Sequence, residues 1–137
     1  MTFKIATLVT SPDPNDWDLL EDILPTAHEV VEPEWTFQPY AEVVKTLGGG
    51  AIGRGFAIAT WRLNIAKNSQ RKTLRTYCSG ASAQVYISTP TNEDDSSNDP
   101  IFKNFLCTMN WMPGQEDKQS RYTLGVDFTF THMVEVV

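Results

Sequence analysis

"TLGGGAIGRGFAIATWRLNI", residues 46–65, holds five of the chain's eight glycines and then turns abruptly to strict alternation. Ala57, Ala59, Trp61, Leu63 and Ile65 make one set, and Phe56, Ile58, Thr60, Arg62 and Asn64 the other. A period of two is that of a strand with one apolar face. Gly48, Gly50 and Gly53 also spell G-x-G-x-x-G, the spacing that holds a pyrophosphate in dinucleotide-binding folds. That chemistry needs a helix directly after the glycines and an acidic residue ~20 positions further on. Here a strand follows, the region twenty residues on is the basic and polar KNSQRK, and no G-K-[ST] is present. Without a helix N-terminus there is no row of free N–H groups to hold phosphate. The expected structure is a hairpin tip, where glycine permits positive φ and close backbone approach.

Upstream, FKIATLVT (3–10) reads as a first strand, with Phe3, Ile5 and Val9 toward one side. DWDLLEDIL (16–24) has Trp17, Leu20, Ile23 and Leu24 at helical spacing, with Asn15 or Asp16 as cap and Pro25 as stop. With Pro33 soon after, residues 11–34 read as a largely irregular arm. Trp35, Phe37, Val43 and Lys45 suit an extended segment that Pro39 turns into an edge or a bend.

Downstream, Asn68 or Ser69 can cap a helix that Gly80 closes. SAQVYIST (82–89) is a strand, and PTNEDDSSNDP (90–100) is expected as an exposed loop. IFKNFLCTMNWM (101–112) and RYTLGVDFTFTHMV (121–134) flank the turn-rich PGQEDKQS. In the last strand Tyr122, Leu124, Val126, Phe128 and Phe130 fall on one face, and Gly125 marks a bulge or a close contact. The expected fold class is mainly β: an antiparallel sandwich or barrel-like domain with one flanking helix and a long Gly-tipped hairpin. One domain spans 1–137, with a strand and arm over 1–39 and the main sandwich over 40–137.

Eleven Lys and Arg against seventeen Asp and Glu give a net charge of −6. Phosphate contacts dominate non-specific nucleic-acid affinity, so this balance argues against a DNA or RNA grip. No run of ~20 apolar residues is present to span a bilayer, and the N-terminus lacks the pattern of a secretory signal. Folding in a cytoplasm is the working expectation. Cys78 and Cys107, the only cysteines, read as buried inert thiols. His28 and His132 come with no H-x-x-x-H or C-x-x-C, so no zinc site is expected. NEDDSSND lacks the glycine and closing glutamate of an EF-hand. Asp94 and Asp95 in that loop are poorly placed to shift a pKa for acid–base work. No catalytic residue, metal or cofactor is expected, which leaves a scaffold or a binding module.

GRGFAIATW, then LRTYCSG with SAQVYISTPTN, then FLCTMNW and LGVDFTFTHMV together resemble small bacteriophage tail proteins of the tail-tube type. The resemblance covers roughly the last ninety residues and rests on the order of loose motifs. The acidic insertion 92–99 and the proline-rich arm 11–39 depart from that pattern. The resemblance implies a virion protein, made in the host cytoplasm, that forms rings of six copies. Rings stack into a tube through which DNA passes without specific binding, in contact with other tail proteins and with no membrane. It also implies a role at the subunit interface for the hairpin residues Gly48, Gly49, Gly50, Gly53, Arg54 and Gly55. A tail adaptor, terminator or distal-tail ring protein is the alternative within this class. A glycan- or ligand-binding β-sandwich is the alternative outside it.

Overall fold

Period-two patterning rich in aromatic and β-branched residues carries most of the chain into strands. The computed structural model describes residues 3–9, 12–23, 33–111, 117–118 and 121–136. Its strands in chain order are β1 (Lys4–Thr7), β2 (Asp18–Leu19), β3 (Glu34–Gln38), β4 (Glu42–Lys45), β5 (Ala51–Arg54), β6 (Ala57–Lys67), β7 (Ser82–Asp94), β8 (Pro100–Trp111), β9 (Asp117–Lys118) and β10 (Tyr122–Glu135). One helical turn, α1 (Leu20–Ile23), and the helix α2 (Asn68–Leu74) interrupt them. The main sheet is antiparallel, in the order β2-β1-β7-β8-β10-β6-β3, with β9 against β10. β4 and β5 make a second sheet of their own. The chain is mainly β, sandwich-like, with one flanking helix of more than a single turn and a Gly-tipped hairpin.

The sheet coils until its edge β3 meets β7, where Asn92 Nδ2 donates to the Phe37 carbonyl at 2.8 Å. Trp61 sits inside this coil, 1% exposed. Its ring meets the edges of Phe3 and Phe130 at 5.3 and 4.7 Å between centroids, and its Nε1 donates to Thr89 Oγ1 at 2.9 Å. An indole buried with its N–H satisfied contributes its full apolar area without leaving an orphaned donor.

Helix α2 starts one residue earlier than expected. Lys67 is its N-cap, and the Gln70 side chain accepts from the Lys67 N–H at 3.0 Å. Asn68 instead accepts from Thr123 Oγ1 at 2.8 Å, which ties the helix to β10. The helix ends six residues before Gly80, so Gly80 is not its cap. Arg75 takes over the exit: its guanidinium lies 4.0 Å from the Trp111 ring centroid and donates to the Cys78 and Gly80 carbonyls. Tyr77 OH donates to Asp18 Oδ2 at 2.6 Å and clamps the N-terminal arm to this corner.

Burial and the neighbouring Asp18 carboxylate push the Tyr77 phenol up from its ordinary value. A raised folded-state pKa contributes stability that is present below about pH 10 and lost as pH rises through the folded value. Wild-type protein is therefore expected to lose more stability between pH 9 and 11 than Tyr77→Phe. Equal slopes in urea titrations would contradict this.

Several expectations need correction. The helix over 16–24 reduces to a 3-10 turn at Pro14–Asp16, two strand residues and the single turn α1. Asp13, not Asn15 or Asp16, is the cap, accepting from the Asn15 N–H. Leu20 N–H donates to Phe3 O, and Trp17 stacks on Tyr86. Pairing with β1 and burial of Trp17 outweigh the weak propensity of a short helix. Leu24, Pro25 and His28 lie outside the described residues, as do residues 112–116 and 119–120 of the expected β8 end and turn. Val9 lies in a turn and is 95% exposed. Strand β7 runs on through Pro90 to Asp94, with a register shift after Pro90, so the loop shrinks to 95–99.

The apolar face of β6 also switches. Ala59, Trp61 and Leu63 point inward, but Ile65 is exposed and Ala66 is buried. Strand β10 switches opposite it: Thr123 is buried, and so are Val126, Phe128 and Phe130. Gly125, at φ +70°, stands between the two sets. The ladder with β6 keeps its register past this residue, Leu124 against Ile65 and Val126 against Leu63, so Gly125 marks no bulge and the two strands turn their faces together. Gly125→Ala is expected to lower stability by about 1–2 kcal/mol, the strain of a side chain in that region. An unchanged urea midpoint would show that the strand relaxes freely.

Candidate assembly surface

Strands β4 and β5 stand apart from the core as a hairpin in which Val43 faces Gly53, Val44 faces Ile52 and Glu42 faces Arg54. At the tip, Gly49 N–H donates to Thr46 O at 3.1 Å, and Thr46 N–H to Gly50 O at 2.9 Å. Gly49 takes φ +84°, so Leu47-Gly48-Gly49 form a three-residue loop with its last residue left-handed. A Cβ on Gly48 would meet open space, and one on Gly50 would lie 3.3 Å from Thr46 Oγ1. At the base, the Tyr40 ring covers Gly53 so closely that any Cβ there would collide with it. Gly55, at φ +84°, lets the chain pass Ala41, whose Cβ would lie 2.7 Å from an added Cβ. Gly49, Gly53 and Gly55 are therefore required by geometry, Gly50 is tight, and Gly48 is dispensable. The G-x-G-x-x-G glycines lie on a loop and a strand, with no helix to follow.

Every residue from 41 to 56 is exposed except Gly53, which is half-buried. Val43, Val44, Leu47, Ile52 and Phe56 present apolar side chains to solvent from this one arm. Singly exposed apolar residues are ordinary, but a cluster on a protruding element marks an interaction surface. Sequence reasoning placed the site on the glycines. The side chains that would make contact are these aliphatic ones, and their signal was the V-V pair at 43–44 and Ile52 with no core to enter. Phe56 leaves the hairpin against His132, with ring centroids 5.9 Å apart. His132 sits at φ +54° in the register shift between Phe130 and Met133.

A second surface lies where β7 turns into β8. Phe3, Trp35, Pro90 and Phe102 line a groove of about 400 Å³ together with Asp95 and Asp99. Asp95 Oδ1 accepts from the Ser97 and Asp99 N–H groups at 2.8 and 3.0 Å, which fixes the loop. Glu93 pairs with Lys103 at 2.9 Å.

The reactive groups are dispersed. Cys78 and Cys107 are buried free thiols, and burial pushes both up, toward the unreactive protonated form. Among the described residues no three His, Cys, Asp or Glu side chains are placed to hold a metal ion, and no helix is long and apolar enough to cross a membrane. Comparison with known proteins finds no matching family model and no significant match to a curated protein or a solved structure.

Proposed function

We propose that this chain is a self-assembling structural subunit of the tail-tube type: a virion protein whose rings stack into a channel for DNA. The observation that carries this reading is the hairpin β4–β5, an arm whose apolar side chains are left exposed by the described residues. A second copy is the simplest cover, and edge strand β3, which has a ladder on one side only among the described residues, adds a second site for pairing. Cyclic closure limits lateral growth, while head-to-tail stacking extends a tube. The resemblance supplies the ring of six and the tail; the acidic charge supports a lumen that DNA passes without sticking. On this reading the protein works without catalysis, metal or cofactor, and its partners are its own copies and other tail proteins.

Electron microscopy of concentrated recombinant protein tests the proposal. Tubes of stacked rings are the expected result. Lone rings would favour an adaptor, terminator or distal-tail role, and a monomer at all concentrations would overturn assembly altogether.

A further inference from the structure

We propose that the groove beside the β7–β8 loop receives the hairpin of a neighbouring copy, with Asp95 and Asp99 of its lining pairing with Lys45 and Arg54. This rests on the assembly reading above and adds the receiving surface to it. Charge is the first ground. The chain is acidic overall, yet the hairpin carries two cations, Lys45 and Arg54, against one carboxylate, Glu42. Residues 93–99 make an acidic stretch without a cation, with Glu93, Asp94, Asp95 and Asp99. Of these, only Glu93 has a cation beside it among the described residues. Opposite charges on two surfaces of one chain steer copies together and fix their register.

Shape and polarity are the second ground. The hairpin presents the aliphatic side chains of Val43, Val44, Leu47 and Ile52, and the groove offers a concave surface of about 400 Å³. Phe3, Trp35 and Phe102 line it together with Asp95 and Asp99, so aromatic and acidic side chains share one surface, as an arm bearing both aliphatic and cationic side chains requires. Reach is the third ground. From Tyr40 to Leu47 the arm extends about 20 Å, at roughly 3.3 Å per residue, enough to leave its own molecule. The arm departs just after Phe37, whose carbonyl is held by Asn92 at the base of the acidic loop. Arm and groove thus lie at one end of the sheet. Donor and receiver surfaces differ, so the contact is heterologous and can close a ring.

Charge reversal tests this on the full chain. Asp95→Asn combined with Asp99→Lys removes both carboxylates of the lining while keeping an acceptor at 95 for the loop. The concentration at half-assembly, read by sedimentation velocity, is expected to rise about tenfold or more. Lys45→Glu with Arg54→Glu is expected to do the same, and all four changes together to recover most of the loss. Thermal unfolding of each monomer checks that the fold is intact. Assembly of wild type with no response to either reversal, or no recovery in the combination, overturns this docking and leaves assembly standing. A wild-type chain that never assembles overturns both.

Discussion

Trp61→Ala is expected to lower stability by about 3–5 kcal/mol, the range for truncating a buried tryptophan. Against a total of roughly 5–15 kcal/mol, that leaves a marginal protein. The effect is large because Trp61 is the contact shared by three parts of the coil. Phe3 comes from the N-terminal segment, Phe130 from β10 and Thr89 from β7. Trp61→Phe retains most of the apolar contact but leaves Thr89 Oγ1 without its indole donor, a loss of about 1–3 kcal/mol. Urea unfolding of the three proteins should rank them wild type, Phe, Ala. A Phe variant as unstable as Ala would mean that the hydrogen bond, not the packing, dominates.

The second large effect is on assembly and spares the fold. Val43, Leu47 and Ile52 are exposed in the monomer, Leu47 fully so. Changing all three to serine is expected to leave the monomer's melting temperature nearly unchanged. If the arm is buried between copies, each of these side chains contributes about 1.5–3 kcal/mol at the interface. Losing the three together weakens association by more than a hundredfold, since each 1.4 kcal/mol is about a factor of ten. Light scattering against concentration reads the difference. A triple variant that assembles like wild type would show that the arm is not the joining element.

The contrast between these variants follows what was legible in the sequence. Alternation through Leu63 and from Val126 to Phe130 foretold the inward faces of β6 and β10, because a half-buried strand leaves a local signature. The glycine run foretold a hairpin because a tight tip needs φ values that only glycine adopts freely. The face switch at Ile65 and Ala66 was not legible. It depends on β6 and β10 turning together, a pairing fixed by the ladder and not by either segment alone. The 16–24 helix failed for the same kind of reason, since β1 and Tyr86 compete for its residues from far along the chain. Pro90 looked like a strand end, yet the strand passes through it at a register shift. For the candidate site, the sequence marked the arm but not the groove, whose walls come from Phe3, Trp35 and Phe102, far apart in the chain.

The seam between β3 and β7 has a consequence for motion. Among the described residues, strand β3 has a ladder along one side only, through five residues to β6, and the Asn92 side chain holds it on the other. Its amides should exchange with solvent through openings well below global unfolding, while those of β10, paired on both sides, wait for the whole molecule. The arm begins two residues after β3 ends. Anything that grips the arm therefore pulls on an edge strand of the sheet. Binding there would slow its exchange from a distance, so that each subunit becomes stiffer once it has a neighbour.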